Sequence, residues 1–254
     1  MKLKRHAWFA FAAVILAACS GGNNQTFQGW AEADLVFVSP HEPGRVETLS
    51  VREGDTVTAG ASLFTLDDEL QQADLRESEA ALTNARKEFD RAQALVQANA
   101  GTRKSFEDAE AALRTTEAKL SSSQTRLVRR SVTSPAPGVV QEVYFRPGEM
   151  VPSGRPVIAL LPPENIKVRF FVPEAVLPAI SLGETVSISC DGCPTDLTAR
   201  ITFIARTAEF TPPVIYSLEE RTKLVFLVEA RPQKPEVLRV GQPVSISLSA
   251  GKTR

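Results

Sequence analysis

The sequence predicts an elongated, mixed α and β protein. A β-sandwich, split by an inserted antiparallel helical hairpin, precedes a small antiparallel β-barrel. Three observations predict this class: a proline-free heptad stretch from Asp67 to Arg130, a β-rich pattern on both sides of it, and alternating apolar and polar residues from Glu164 to Leu248. With 254 residues, the chain is long enough for two or three small domains.

The stretch from Asp67 to Arg130 predicts two antiparallel helices packed as a coiled coil. Large apolar residues at one core position and small residues at the other suit close helix packing. The break at Asn99-Ala100-Gly101-Thr102 supplies residues that end one helix and cap the next. Each arm of roughly 28–30 residues would project about 40–45 Å. The alternatives are one long helix or part of an ordinary bundle.

Two sets of residues define the predicted seam of this hairpin. The first arm contributes Leu75, Ser78, Leu82, Ala85, Phe89, Ala92, Val96 and Asn99. The second arm contributes Phe106, Ala109, Leu113, Thr116, Leu120, Ser123 and Leu127. The remaining positions are mostly charged or polar, so we expect them to face water.

A repeat flanks the predicted hairpin. Pro43-Gly44 recurs as Pro137-Gly138, and glycines and apolar residues recur at the same offset without a gap. Glycines at such points serve tight turns between short strands. Each half of the repeat, residues 35–66 and 132–163, has too little apolar area to fold alone. We therefore expect both halves to form one sandwich, with residues 67–131 inserted between them.

Residues 164–250 are expected to form the barrel. The segment from residue 26 to residue 34 alternates in the same way and is expected to join that barrel, and residues 251–254 are a tail. The predicted barrel strands are Ile166 to Val172, Thr185 to Ser189, Leu197 to Ile204, Leu224 to Glu229 and Pro243 to Leu248.

The N-terminus has the pattern of a processing segment. Residues 1–18 combine a positively charged start with a short apolar run, as in a signal peptide. The run ends in Leu16-Ala17-Ala18-Cys19, which resembles a bacterial lipobox, so Cys19 is the expected lipidation site. Residues 19–25 then form a short polar tether. The alternative is an ordinary signal peptide followed by an incidental cysteine.

Cys190 and Cys193 flank a turn signal, Asp191-Gly192, between two predicted strands. Outside the cytosol two nearby thiols tend to oxidise, so a local disulfide is expected. A free pair of thiols is the alternative. A thioredoxin-like redox site lacks its βαβ setting here, and a zinc site would need two more ligands in a chain whose histidines are His6 and His41.

The composition argues against several functional classes. The formal net charge of −1 provides no global field for nucleic acid, which is not expected as a partner. The sequence contains no glycine-rich phosphate loop, no cluster of metal ligands and no Ser/His/Asp set. We therefore expect no catalytic residue, no metal and no cofactor, although a carrier or a hydrolytic enzyme is the competing class.

The split repeat, the helical insertion, the barrel and the lipobox together resemble the HlyD family of periplasmic adaptors, also called membrane fusion proteins. The paired Pro-Gly…Gly-Asp/Glu-x-Val-x-x-Gly pattern is similar to a lipoyl-type sandwich. The modified lysine of lipoyl and biotin carriers has no counterpart at the junction. The resemblance implies a lipoyl-like domain in an efflux or secretion adaptor. Its implied partners are an inner-membrane transporter, a TolC-type outer-membrane channel and further copies in a ring of six.

The predicted hairpin tip carries a second similarity. Many family members have the spacing R-x3-L-x6-S/T around the turn, and these residues are implicated in channel docking. Arg91, Leu95 and Thr102 match that spacing. The alternative is structural, with Arg91 a solvated charge, Leu95 beside the seam and Thr102 a helix cap.

A third similarity concerns the transporter. Residues 207–212 and 221–226 resemble the barrel segment of adaptors that serve ABC-type exporters. The resemblance therefore favours an ABC-type partner, with RND and MFS pumps as alternatives. The short stretch after the predicted barrel leads us to expect no membrane-proximal domain of the RND type. A lipoprotein scaffold without a pump is the third possibility. The expected location is the periplasm, with Cys19 anchored in the inner membrane.

Overall fold

The computed structural model describes residues 26–210 and 224–248. The chain divides into two compact units, at boundaries between residues 33 and 34 and between residues 165 and 166. These boundaries lie one or two residues from the predicted edges of the barrel. The predicted lipidation site Cys19, the signal peptide, the tether, residues 211–223 of the barrel and the tail lie outside the described residues.

One unit, residues 34–165, contains the sandwich and two helices. The first strand of the chain, β1 (Thr26–Ala33), belongs to the other unit. The first half of the repeat forms β2 (Val36–Val38), β3 (Gly44–Leu49), β4 (Thr56–Val57) and β5 (Ser62–Leu66). The helices are α1 (Glu69–Gln97) and α2 (Arg103–Val128). The second half forms β6 (Ser131–Thr133), β7 (Gly138–Val143), β8 (Met150–Val151) and β9 (Ile158–Leu161).

Each sheet of the sandwich combines strands from both halves of the repeat. One sheet has the order β2-β9-β7-β4, and the other has the order β6-β5-β3-β8. In the first sheet β2 pairs with β9 and β4 pairs with β7. In the second sheet β3 pairs with β8 and β5 pairs with β6. Because neither half contains a complete sheet, neither half can bury its apolar face without the other.

The repeat coincides with the core of the sandwich. Six equivalent apolar positions are buried in one cluster: Val46, Val57 and Leu66 with their counterparts Val140, Val151 and Leu160. Leu63 and Phe64 of β5 are fully enclosed in the same cluster. Burial of each such side chain contributes about 1.5–3 kcal/mol relative to exposure. The apolar repeat in the sequence is therefore the pattern that fills this core.

The two helices pack against each other and run antiparallel. Toward the sandwich, Lys119 Nζ lies 3.1 Å from the Glu77 carboxylate. Toward the far end, the rings of Phe89 and Phe106 have centroids 5.4 Å apart. Contacts between early residues of α1 and late residues of α2, and the reverse, require opposite chain directions. In the part of the chain that the structure describes, no helix is long and apolar enough to cross a membrane.

The predicted seam positions are buried or half-buried, with one exception. Asn99 is exposed and has φ 55°. Its assignment to the seam is wrong, because α1 ends at Gln97 and Asn99 adopts the left-handed conformation of the following turn. A seven-residue spacing cannot show by itself where a helix stops.

The other described unit is an antiparallel barrel. Its strands are β1, β10 (Ile166–Pro173), β11 (Thr185–Ser189), β12 (Thr198–Ile204), β13 (Glu209–Phe210), β14 (Leu224–Pro232) and β15 (Pro243–Leu248). The strand order is β10-β1-β15-β11-β12-β14-β13, and an additional pairing between β10 and β14 closes the sheet. β1 lies between β10 and β15. The short strand β13 was not predicted, and β14 continues three residues beyond the predicted Glu229.

Candidate functional site

The turn between the two helices has a defined backbone geometry. Ala100 N–H donates to the Leu95 carbonyl at 2.8 Å, and Asn99 N–H donates to the Val96 carbonyl at 3.0 Å. With Asn99 in the left-handed region, these bonds form a Schellman motif that satisfies the last carbonyls of α1. The tip is therefore a turn whose backbone is closed by its own hydrogen bonds.

Gly101 lies where the chain passes close to the end of α1. A Cβ added at Gly101 would lie 3.0 Å from Leu95 Cβ and 3.1 Å from the Val96 nitrogen. These distances are tighter than ordinary van der Waals contact, so a side chain there would push the turn away from α1. Asn99 supplies the left-handed residue, and Gly101 permits the close return of the chain.

Thr102 is the N-cap of α2. Its Oγ1 accepts a hydrogen bond from Ser105 N–H at 3.1 Å, and Ser105 Oγ donates to the Thr102 carbonyl at 2.8 Å. An N-cap threonine typically stabilises a helix by about 1 kcal/mol. The structure therefore gives the Thr102 hydroxyl a capping role, which was the structural alternative for this residue.

Arg91 and Leu95 lie one turn apart on α1, so their side chains emerge from the same face of the helix. The Arg91 side chain is 67% exposed, and its Nη1 lies 3.2 Å from the Glu88 carboxylate. Leu95 is 44% exposed although it is a large apolar residue. An exposed ion pair within one helix contributes little stability, so Arg91 can exchange Glu88 for another acceptor.

Two further cations lie at the tip and were missed in the sequence. Arg103 and Lys104 occupy the first turn of α2, where the helix dipole disfavours positive charge. Hydrogen bonds to Glu107 at 2.8 Å and to Asp108 at 2.6 Å raise the pKa of each base. The sequence did contain a signal for these ion pairs, because two basic residues directly follow the cap and an acidic residue lies four positions after each of them. Together with Arg91, they give the tip three exposed cations.

The other end of the helix pair is fixed to the sandwich through a buried cation. The Arg130 side chain is only 10% exposed. Its Nη1 donates to the Pro43 carbonyl at 2.9 Å, and its Nη2 lies 3.4 Å from the Glu42 carboxylate. A Cβ on Gly44 would lie 2.7 Å from Arg130 Nη1, so the Pro-Gly pair gives the guanidinium its space. Sequence reasoning treated Arg130 only as the end of the heptad stretch.

A second contact at the same end joins Arg45 to Asp67. Arg45 Nη2 lies 2.6 Å from Asp67 Oδ2, and Asp67 N–H donates to the Arg45 carbonyl at 2.9 Å. The hydrogen bond from Arg45 holds the pKa of Asp67 below its ordinary value, and the backbone N–H of Glu69 acts in the same direction. The start of α1 and the end of α2 are thus both attached to β3 or to the loop before it.

In the barrel unit, Cys190 and Cys193 are joined by a disulfide, with their Cα atoms 5.3 Å apart. Cys193 N–H also donates to the Cys190 carbonyl at 3.1 Å across Asp191-Gly192. Among residues 26–210 and 224–248, no group of three or more His, Cys, Asp or Glu side chains is placed to hold a metal ion.

Residues 34–161 match a family model described as "RND MFP, barrel-sandwich hybrid domain". This match covers the sandwich and the inserted helices, and it spans half of the chain. The chain belongs to the membrane fusion protein family of periplasmic adaptors.

Two curated relatives of this membrane fusion protein carry the name UPF0194 membrane protein. The UPF0194 membrane protein in asrC 5'region of Acidithiobacillus ferridurans is 38% identical over 66% of this chain and 51% of its own length. The UPF0194 membrane protein of Citrobacter koseri is 26% identical, with 97% of this chain and 98% of that protein covered. The chain therefore spans about half the length of the first relative and nearly all of the second.

Solved structures show the same fold. The membrane fusion protein Spr0693 from Streptococcus pneumoniae R6 has a TM-score of 0.69 and 20% identity, over 89% of this chain and 99% of that chain. A MacA-MexA chimeric protein with the Pseudomonas aeruginosa MexA alpha-hairpin domain has a TM-score of 0.68 and 21% identity, over 88% of this chain and 80% of that chain. At these identities the similarity establishes the fold alone.

Proposed function

We propose that this membrane fusion protein is a non-enzymatic adaptor that links an inner-membrane transporter to a TolC-type outer-membrane channel. Membership of a periplasmic adaptor family supports the general role. The observation that carries docking is the tip itself, where an ordered turn presents Arg91 and the exposed apolar Leu95 on one face. The opposite end of the helices is attached to the sandwich, so the tip is the end available to a partner.

The helix pair serves this role as a two-stranded antiparallel coiled coil. The half-buried heptad positions on both helices and the enclosed Ser78 and Ser123 pair support this interpretation. α1 has 29 residues, which corresponds to a length of about 43 Å at 1.5 Å per residue. A coiled coil of this length carries a contact surface away from the sandwich without a large domain.

The proposed docking chemistry assigns different roles to the three predicted residues. The Arg91 guanidinium donates charge-assisted hydrogen bonds to carboxylates or carbonyl oxygens of the channel. Leu95 provides the apolar contact beside it. Thr102 acts indirectly, since its hydroxyl caps α2 and holds the turn that positions Leu95.

An ABC-type exporter is the proposed transporter, on the resemblance of residues 207–212 and 221–226. The described parts of these segments meet, because Glu209 pairs with Val225 and Phe210 pairs with Leu224. The description of the matching family model favours an RND pump as the second candidate. Co-purification of the tagged adaptor with each pump class distinguishes the two, since only the cognate pump should be recovered.

The assembly and the anchor belong to the same proposal. We infer a lipoprotein of the HlyD type, held at the inner membrane through Cys19, with several copies arranged in a ring of six. The lipobox supports the anchor. If the co-purification recovers no transporter, the result favours a lipoprotein scaffold without a pump.

Arg91→Asp tests docking, because it reverses the charge at the tip. We expect loss of site-specific crosslinking to the outer-membrane channel and an unchanged circular-dichroism melt. Arg76→Asp is the matched control, since Arg76 is an exposed arginine of the same helix about 22 Å nearer the sandwich. Unchanged crosslinking of Arg91→Asp contradicts the proposal, and a lowered melting temperature assigns Arg91 a structural role.

A further inference from the structure

One type of turn occurs four times in the described residues, at 52–55, 146–149, 181–184 and 239–242. In each turn the N–H of the first residue donates to the side chain of the fourth at 2.8–3.0 Å. The N–H of the fourth residue donates back to the carbonyl of the first at 3.0–3.2 Å. The third residue is a glycine with φ between 82° and 95°. The fourth position therefore requires a side-chain acceptor.

The last of these turns differs from the others in that acceptor. Asp55, Glu149 and Glu184 are acids, whereas Gln242 is an amide. Gln242 Oε1 accepts from Arg239 N–H at 3.0 Å, which performs the same task as the carboxylates. An amide also carries an NH₂ group that a carboxylate lacks. Gln242 therefore provides a hydrogen-bond donor that the turn itself does not need.

That additional donor is directed at the disulfide. Gln242 Nε2 donates to Cys193 Sγ at 3.8 Å. The orientation of the amide is set, because Oε1 is already bonded to Arg239 N–H. The backbone of the turn is also fixed, since Gly241 N–H donates to the Ala31 carbonyl at 2.8 Å and Ala31 N–H donates to the Gln242 carbonyl at 2.9 Å.

Cys193 also borders an open cavity of about 560 Å³. This volume falls within the range of small-molecule sites. The cavity is lined by Asp191, Gly192, Cys193, Val237, Arg239, Val240, Gly241 and Gln242. Its charged lining residues are one acid and one base, which balance each other. The feature that distinguishes Cys193 is therefore the neutral donor of Gln242.

The disulfide adds little to the turn that it spans. It closes a ring between residues three apart, and short rings restrict the unfolded chain least. The turn is also closed by the hydrogen bond from Cys193 N–H to the Cys190 carbonyl. A purely structural purpose thus leaves both the cavity and the choice of Gln242 unexplained.

We propose that the Cys190–Cys193 disulfide is an exchange site for low-molecular-weight thiols, with Cys193 Sγ as the reacting sulfur. An incoming thiolate enters through the cavity and attacks Cys193 Sγ. A mixed disulfide forms on Cys193 while the bond to Cys190 breaks. The electron pair leaves on Cys190 Sγ, which takes a proton from water.

The reverse direction uses the same two sulfurs. The Cys190 thiolate attacks Cys193 Sγ in the mixed disulfide and expels the small thiolate. When both cysteines are reduced, the Cys193 thiolate attacks an oxidised small disulfide and releases one thiolate. Before this last step the Gln242 amide N–H favours the thiolate form of Cys193, because a hydrogen bond to a charged acceptor is stronger than one to a neutral acceptor.

Two single-cysteine variants of the full chain test the assignment. Cys190→Ser leaves Cys193 and Cys193→Ser leaves Cys190 in otherwise identical proteins. After reduction, each variant is mixed with glutathione disulfide at neutral pH, and peptide mass spectrometry follows the glutathione adduct over time. We expect the adduct on Cys193 to form about tenfold faster than the adduct on Cys190. Equal rates, or a faster reaction at Cys190, overturn the proposal.

Gln242→Glu in the Cys190→Ser background tests the donor. Glutamate keeps the acceptor that the turn requires but replaces the NH₂ donor with a carboxylate oxygen, whose negative charge also disfavours a thiolate on Cys193. We expect the rate at Cys193 to lose most of its tenfold advantage, and an unchanged rate overturns the role of Gln242. Glu184→Gln makes the inverse exchange in the equivalent turn at 181–184. It tests whether exchanging the acceptor destabilises such a turn, and we expect an unchanged melting temperature.

The unsubstituted protein provides a test that does not depend on variant folding. Its disulfide is treated with limiting reduced glutathione, quenched in acid and mapped. An adduct on Cys193 is the expected product. An adduct on Cys190, or a disulfide that resists glutathione while the protein remains folded, overturns the proposal in favour of an inert structural bond.

Discussion

Ser78 Oγ and Ser123 Oγ lie 2.9 Å apart, buried between α1 and α2. Ser78 Oγ also lies 2.9 Å from the Asp74 carbonyl, to which it donates its one proton. The proton shared between the two serines therefore belongs to Ser123. Both hydroxyls are satisfied, and two small side chains allow the helices to approach closely at this level of the seam.

Enlarging this contact should separate the helices. Ser123→Leu adds volume where the helices approach each other, so we expect a loss of about 1–3 kcal/mol in the free energy of unfolding. Ser123→Ala is the matched control, because Ser78 keeps its bond to Asp74 and no buried donor is left unpaired. The control should cost about 1 kcal/mol or less. Urea unfolding followed by circular dichroism measures both, and equal losses would contradict close packing at this level.

Arg130 should contribute more than its exposed neighbour Arg129 does to the attachment of the helices to the sandwich. Arg130→Ala removes the donors that serve the Pro43 carbonyl and Glu42, so we expect a loss of about 1–3 kcal/mol. Arg129→Ala, which changes the adjacent exposed arginine, should remain within about 0.5 kcal/mol of the unsubstituted protein. The comparison uses the same urea unfolding experiment. Indistinguishable midpoints for the two variants would show that the buried guanidinium is not required.

The contrast between the seam and Arg130 shows what the sequence could reveal. Seam residues such as Leu82 and Leu113 follow from the spacing alone, because the helix period places them on one face. The core positions Val46 and Val140 follow from the repeat for a similar reason. Arg130 carries no such signal, since its partners lie 87 and 88 residues away and only the fold brings them together.

The turn between the two helices was predictable in position but not in detail. The break at Asn99-Ala100-Gly101-Thr102 located it, and the docking role of Arg91 and Leu95 stays a prediction. The sequence indicated Thr102 as a helix cap only among its alternatives, and it could not show that Asn99 adopts the left-handed conformation. These outcomes depend on hydrogen bonds that exist only in the folded turn. The strand pairing inside the sandwich was likewise beyond the sequence, because each sheet combines strands from both halves of the repeat.

Acid should weaken the contact between Arg45 and Asp67. The pKa of Asp67 is lower in the folded protein than in the unfolded chain, where an aspartate has a pKa of about 3.9. The contact therefore contributes stability above the unfolded pKa, and this contribution is lost as the pH falls through the folded pKa. Arg45→Gln should raise the pKa of Asp67 toward its ordinary value.

A carboxyl NMR titration of Asp67 measures this change directly. Arg52→Gln is the control, because Arg52 is an exposed arginine of the same unit outside this contact. We expect the control to leave the Asp67 titration where it is. An Asp67 pKa that does not respond to Arg45→Gln would assign the shift to the backbone N–H of Glu69 instead.

Cys19→Ser tests the proposed anchor separately from the folded units. The substitution removes the thiol that the lipobox presents, so we expect uncleaved precursor or, with a substitute signal peptide, a soluble protein that folds normally. One acyl chain holds a protein to a membrane only marginally, whereas several chains hold it firmly. The lipoproteins that this N-terminus resembles carry three, so the unsubstituted protein should remain with membranes through salt washes.

Fractionation with and without the candidate transporter genes extends this test to the adaptor proposal. A transporter-bound adaptor keeps protein contacts after losing its lipid, so part of the Cys19→Ser protein should stay with membranes only when the transporter is present. Unsubstituted protein found wholly in the soluble fraction would rule out the anchor. A Cys19→Ser distribution that ignores the transporter would instead favour a scaffold without a pump, because the lipid would then be the only link to the membrane.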